Sequence, residues 1–296
     1  MSTKPISAAF PFQARYLETN GAKIHYIDEG EGDPVLFMHG NSTWSYLWRN
    51  IIPYLSGKAR CIAFDLVGHG HSDKPDIDYR FRTHYEYVES FLESLGLSNL
   101  TMVLHDWGGG LGFHYAMQHE EKMKGLAFME TFVRTFDRWS DWPADLLEGF
   151  QQFRTEDVGW DLIVNQNVFM EQILPYGVKR GLTAEEMAAY LEPHSDIRNR
   201  KQLWVWPQEL PIEGRPPDTS EIIRNYVARL KQSRLPKLLF YGEPGAIIPA
   251  ETARMCEENF PNLEAVFLGA GGHYLAEDYP HEIGEKLSTW YDAIEK

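Results

Sequence analysis

Only two cysteines occur in 296 residues, so no disulfide framework staples this chain. Cys61 in an apolar run and Cys256 in a helix-like stretch read as buried thiols. Positive charge is scarce too: 28 Lys and Arg stand against 43 Asp and Glu, a net charge of −15. Nucleic acid and anionic membrane surfaces both require a basic face, so neither is expected as a partner. No run approaches the ~18 apolar residues of a membrane helix, and Met1 to Gln13 lacks the charged start and long apolar core of a secretory signal. A cytoplasmic protein is the expectation. Repeats and low-complexity linkers are missing as well. His69 and His71 share a Gly-His-Gly-His turn, but without further ligands they read as exposed loop residues rather than a metal site.

What is there is an apolar content of 43%, ordinary for a chain that buries a sizeable core. Asn20-Gly21 between Arg15 to Glu18 and Ala22 to Asp28 predicts an opening hairpin. Short apolar strands then alternate with helices: strands at Pro34 to His39, Cys61 to Asp65, Thr101 to His105 and Leu126 to Glu130, helices at Trp44 to Leu55 and Tyr85 to Leu95, the latter closed by Gly96. From Thr131 to about Leu235 the alternation stops, before strands at Lys237 to Tyr241 and Ala265 to Leu268 and a closing helix at Ile283 to Ile294 resume it. The interrupting segment is aromatic-rich, with helical spacing at Glu148 to Phe153, Gly159 to Leu174 and Ala184 to Tyr190. This pattern predicts an α/β fold with a mostly parallel sheet covered on both faces and sites at the carboxyl ends of its strands. Residues 1–131 and 235–296 are expected to form the core domain, and 132–234 a helical cap over the catalytic edge.

The strand Val103-Leu104-His105 runs into Asp106-Trp107-Gly108-Gly109-Gly110, a strand, sharp turn and helix with a carboxylate at the apex. This is the form of a nucleophile elbow, although a strand-Asp-Gly junction also suits a plain helix cap. Asp106 is already an anion at neutral pH and is able to attack an electrophilic carbon without a base. The ester so formed needs water and a base, and His273, in Gly271-Gly272-His273-Tyr274 after the last strand, is the candidate. His105 precedes Asp106 and should point to the opposite face. Glu130, at the end of its strand, suits the acid that orients the imidazole; Glu243 is the rival but precedes Pro244-Gly245 and has the character of a turn residue. The Asn41 amide and the Trp107 indole are two N–H donors beside the elbow, suited to a weakly hydrated leaving anion in a dry pocket. Their backbone N–H groups are candidates for an oxyanion hole.

His39-Gly40-Asn41-Ser42-Thr43, Tyr46-Leu47-Trp48-Arg49, Asp65-Leu66-Val67-Gly68-His69-Gly70-His71-Ser72-Asp73-Lys74-Pro75, His105-Asp106-Trp107-Gly108 and Gly272-His273-Tyr274-Leu275-Ala276-Glu277-Asp278 closely resemble the haloalkane dehalogenases of the α/β-hydrolase superfamily. So do Asp157-Val158-Gly159, Asn167-Val168-Phe169 and Tyr190-Leu191-Glu192-Pro193. The resemblance implies an eight-stranded α/β-hydrolase fold with a helical cap inserted after the sixth strand. It implies Asp106 as nucleophile, His273 as base, Glu130 as acid, and Asn41 with Trp107 as the halide-stabilising pair. Phe150, Phe169 and Pro207 would line the pocket, with Trp44, Phe132, Leu210 and Ile247 completing the expected lining. No metal or organic cofactor is implied; a small halogenated hydrocarbon, water and a halide ion are, in a monomer or small homo-oligomer. Ser42 stands where a proline is common, Trp44 where a serine is common, and Thr131-Phe132-Val133 replace the usual run after the acid, which bears on substrate range. Two other reactions share this scaffold. Coelenterazine-oxidising luciferases keep the same five residue types, and epoxide hydrolases pair an Asp nucleophile with cap tyrosines, for which Tyr176 and Tyr190 are available. A non-catalytic ligand-binding relative is a further alternative.

Overall fold

Asn20 and Gly21 both take positive φ, 49° and 77°, the twist a two-residue hairpin requires, and they pair β1 (Arg15–Thr19) antiparallel with β2 (Ala22–Glu29). The computed structural model describes residues 4–294, so Met1 to Thr3 of the amino-terminal stretch read above lie outside the described residues. Six strands follow: β3 (Pro34–Met38), β4 (Arg60–Phe64), β5 (Leu100–His105), β6 (Met123–Thr131), β7 (Lys237–Pro244) and β8 (Leu263–Gly271). Their order in the sheet is β1-β2-β4-β3-β5-β6-β7-β8. β2 meets β4 antiparallel, and every pair from β4 to β8 is parallel. This is the α/β-hydrolase architecture that the resemblance implies.

β3 and β5 are buried along their whole length because side chains alternate between two covered faces. Val35, Phe37 and Val103 enter one core, and Leu36, Met38 and Leu104 the other. The helices are α1 (Phe81–Leu95), α2 (Asp106–Gln118), α3 (Leu147–Phe153), α4 (Glu156–Trp160), α5 (Leu174–Tyr176), α6 (Ala184–Leu191), α7 (Lys201–Gln208), α8 (Pro217–Leu230), α9 (Ala250–Asn259), α10 (Leu275–Asp278) and α11 (Pro280–Ile294). Gly96 ends α1 in the left-handed conformation, at φ 60°. No helix among the described residues is long and apolar enough to cross a membrane.

Several expected elements take another form. The helix expected over Trp44 to Leu55 is two short 3₁₀ turns, Ser45–Trp48 and Ile52–Tyr54; Pro53 lacks an N–H and its ring clashes with the carbonyl four residues back, so a continuous helix stops there. The single helix expected over Gly159 to Leu174 is instead α4, two wide π turns at Asp161–Asn165 and Phe169–Ile173, and α5. Asn167 interrupts it at φ 59°, a conformation asparagine tolerates. α8 falls inside the segment expected to be cap, yet it packs against α2. Tyr226 rests 5.7 Å from Phe113, ring to ring, and donates to the Phe132 carbonyl at 2.6 Å. That helix therefore joins the flank of the sheet.

A buried charge cluster fastens the remaining insertion to the core. Arg49 donates to both oxygens of Glu277 in α10, at 2.6 and 3.0 Å, and to Glu186 in α6 at 2.7 Å. Arg180 reaches the same two carboxylates at 2.7 Å each, and Tyr190 donates to Glu277. Buried Arg49 and the solvent-touching Arg180 thus balance two buried anions, the condition under which buried charge is tolerated. Arg49→Met strips Glu277 and Glu186 of the buried one of their two cations and is expected to cost about 3–5 kcal/mol of folding stability, read from denaturant unfolding midpoints.

Candidate active site

β5 delivers the chain to Asp106 at φ 51°, a left-handed conformation that costs a non-glycine residue about 1–3 kcal/mol and persists only when its surroundings enforce it. Thr131 enforces it by donating its hydroxyl to the Asp106 carbonyl at 2.7 Å. The space is tight: a Cβ on Gly109 would lie 2.0 Å from the Thr131 hydroxyl, and one on Gly40 would lie 2.1 Å from Asp106 Oδ1. The side chain is fixed as well. The Asn41 backbone N–H donates to Oδ1 at 2.6 Å, and the Trp107 backbone N–H also reaches the carboxylate. Oδ2 faces His273 Nε2 at 3.4 Å.

His273 stands between two carboxylates, its Nδ1 lying 3.4 Å from Glu130 Oε2. Glu130 is fully buried, and its oxygens accept the backbone N–H groups of Ala246, Ile247 and Ile248 at 3.0, 2.7 and 3.3 Å. Burial alone would push the imidazole pKa down, but hydrogen bonds and charge from Asp106 and Glu130 outweigh it and hold His273 up to about 9. The same pair acts in reverse on Asp106. Burial would raise its pKa, and the bond to His273 keeps it below the ordinary value.

Asn41 and Trp107 flank the carboxylate. Trp107 is buried, and its indole N–H has no acceptor among the described residues; its ring stacks on Trp206 of α7 at 4.7 Å and lies 4.3 Å from Phe132. The cavity beside these groups encloses about 200 Å³. Asn41, Asp106, Trp107 and His273 lie on its floor side, and Phe132, Phe150, Phe169, Pro207, Leu210 and Ile247 supply an apolar wall.

Residues 33–280 match the α/β hydrolase fold family. A haloalkane dehalogenase of Mesorhizobium japonicum is 43% identical over 92% of this chain and 88% of its own, and one of Sphingobium indicum is 40% identical over 95% and 96%. This chain is a haloalkane dehalogenase. The crystal structure of haloalkane dehalogenase DbeA from Bradyrhizobium elkani superposes with a TM-score of 0.94 at 39% identity, covering 96% of this chain and 99% of that one.

The dehalogenase departs from the sequence reading at Trp44 and His69, whereas Glu243 and Tyr190 stay outside the site. Trp44 does not line the cavity. Its indole donates to the Ala189 carbonyl of α6 at 3.1 Å and stacks on Tyr46 at 5.3 Å, so it rivets cap to core. Glu243 is exposed and takes no part in the cluster around His273. His69 is buried rather than exposed: its Nε2 accepts the Trp206 indole N–H at 3.1 Å, and burial pushes its pKa well down. Among the described residues no group of three or more His, Cys, Asp or Glu is placed to hold a metal ion. Tyr190 is bound to Glu277 away from the cavity, and Tyr176 sits at the mouth, donating to Asp145 at 2.6 Å.

Other contributors escaped the sequence reading. His105 turns away from Asp106, as its place on the strand requires, but its Nε2 bonds the His273 carbonyl at 2.9 Å and so props the His273 loop. Burial holds His105 neutral, with its pKa down to about 3. Trp142, Asp145, Ile173 and Lys179 also line the cavity; only the aromatic richness of the insertion hinted at this. Gly40→Ala, which drives a methyl into Asp106 Oδ1, is expected to lower kcat at least about 10²-fold with the circular dichroism spectrum unchanged.

Proposed function

We propose that this dehalogenase cleaves carbon–halogen bonds through an Asp106 alkyl ester, with each role assigned as follows. The observation that carries the reading is the Asp106 carboxylate set between Asn41, Trp107 and His273 at the floor of an apolar cavity. Oδ1 is held by the Asn41 N–H, which leaves Oδ2 to attack the halogen-bearing carbon. A carbon–Oδ2 bond forms as the carbon–halogen bond breaks, and the halide leaves with the electron pair. It departs toward the Asn41 amide and the Trp107 indole, whose N–H bonds strengthen as its charge develops, the condition for lowering a barrier rather than merely binding.

Alkylation also prepares the base. In the resting enzyme the Asp106 charge helps hold His273 up to about 9, so the imidazole is protonated. The ester is neutral; that support vanishes, the pKa falls, and the proton leaves to solvent with the halide. Neutral His273, oriented by Glu130 through Nδ1, then takes a proton from water as it attacks the ester carbonyl carbon. The oxyanion rests on the backbone N–H groups of Asn41 and Trp107. Collapse breaks the bond from the carbonyl carbon to Oδ2, the alcohol departs carrying Oδ2, and the regenerated carboxylate and imidazolium restore the resting pair. One proton and one halide are released per alcohol.

The identities of 40–43% with curated haloalkane dehalogenases favour this reaction over light-producing oxygenation. The placement of Tyr190 outside the cavity removes the paired tyrosines an epoxide hydrolase would use. The wall of Phe132, Phe150, Phe169 and Leu210 favours short, uncharged haloalkanes as substrates. A cytoplasmic setting accords with Cys61 and Cys256, both free and buried, with thiols pushed up to about 12.

Four outcomes are expected. A single turnover in ¹⁸O-water should place the label in Asp106 and leave the alcohol unlabelled; label in the alcohol would mean direct attack of water on the substrate. His273→Ala should release one halide per active site and then stop, with alkylated Asp106 visible by mass spectrometry. Ester hydrolysis should weaken on the acid side with an apparent pKa below about 9, since the base must be neutral. Glu130→Gln removes a carboxylate that raises His273, so that limb should move to lower pH while its plateau drops about 10²-fold or more.

A further inference from the structure

The amide of Asn41 is oriented by two neighbours of opposite chemistry. The Ser42 backbone N–H can only donate, and it meets Asn41 Oδ1 at 2.9 Å. The Leu203 carbonyl of α7 can only accept, and it meets Nδ2 at 3.4 Å. Together they force the amine of Asn41 outward from Ser42, with one Nδ2 proton left for the cavity. Ser42 reaches this arrangement at φ 65°, in the left-handed region that a proline, locked near −65°, does not enter; a proline there would also carry no N–H to donate.

The side chain of the same residue faces the other half of the machinery. Ser42 Oγ lies 2.9 Å from the Tyr274 hydroxyl. Tyr274 is buried, its ring meets the His273 ring edge-on at 4.7 Å, and its backbone N–H donates to the Gly177 carbonyl at 3.2 Å. Ser42 itself is fully buried and does not line the cavity. One residue thus holds the halide donor through its backbone and the neighbour of the base through its hydroxyl.

We propose that Ser42 is a positioning residue that locks the Asn41 amide for the halide through its N–H and steadies the His273 loop through the Ser42–Tyr274 hydroxyl bond. The inference rests on reading Asn41 as halide donor and His273 as base. Its two halves act on different steps. Loss of the N–H should weaken halide binding and alkylation, whereas loss of the hydroxyl should slow ester hydrolysis alone.

The test measures bromide affinity by quenching of tryptophan fluorescence, and the halide burst and ester decay by stopped flow and quench, in the full-length enzyme. Ser42→Pro should raise the bromide Kd about tenfold, toward the value of Asn41→Ala. Ser42→Ala should keep bromide affinity and burst rate but slow ester decay about two- to tenfold; Tyr274→Phe should match it, and the double variant should be no slower than either. A folded Ser42→Pro enzyme with wild-type bromide affinity overturns the lock. Wild-type ester decay in both Ser42→Ala and Tyr274→Phe, or an equal slowing of both steps, overturns the tie. Should Ser42→Pro fail to fold, hydrogen exchange of the Ser42 amide decides the first half: protection supports it and exchange at the free-peptide rate overturns it. If Asn41→Ala leaves bromide affinity unchanged and His273→Ala traps no ester, the site assignment itself has failed, a result separable from any effect at Ser42.

Discussion

An imidazole held between two buried carboxylates is the constraint from which the rest of this structure follows. Around His273 stand two buried carboxylates, Asp106 and Glu130, and buried carboxylates are tolerated only where donors surround them. The donors are backbone N–H groups, those of Asn41 and Trp107 on Asp106 and those of Ala246, Ile247 and Ile248 on Glu130. They arrive from the ends of β3, β5 and β7. A parallel sheet with those ends at one edge is what brings the five N–H groups to two carboxylates, and the positive φ at both Asp106 and Glu130 turns each side chain toward the imidazole.

The insertion then completes what the sheet edge begins. It supplies Phe150, Phe169, Pro207 and Leu210 as wall, and from α7 it backs both side chains proposed as halide donors, with the Leu203 carbonyl on Asn41 and the Trp206 ring on Trp107. His69 in turn accepts the Trp206 indole, and His84 stacks on that ring at 4.4 Å. The clamp of Arg49 and Arg180 on Glu186 and Glu277 lies four residues from His273. The clamp thus grips α10, the helix that begins two residues after His273.

Most of the strand framework was legible because its signals are local. The Asn-Gly turn, the short apolar runs of β3 and β5, and the strand-Asp-Gly elbow each depend on a few consecutive residues and on sterics that act over that span. The helical readings were weaker where a local exception intervened, Pro53 in the second 3₁₀ turn and Asn167 among the π turns. α7 and α8 went unread because prolines punctuate them, Pro207 inside α7 and Pro216-Pro217 at the start of α8, although Ile222, Ile223, Tyr226 and Leu230 are buried along α8.

The sequence by itself determined the α/β-hydrolase class, the elbow with Asp106 at its apex, and the identities of the charged and donor groups, since these are matters of residue type and short-range spacing. Only the tertiary structure decided what those groups face. Asn41 meets Asp106 across 65 residues, and Ser42 meets Tyr274 across 232. Trp44, a pocket candidate by its neighbours in the chain, spends its indole N–H on Ala189, 145 residues away. A side chain's partner is set by whichever buried polar group most needs one, and that need arises only once distant segments have packed.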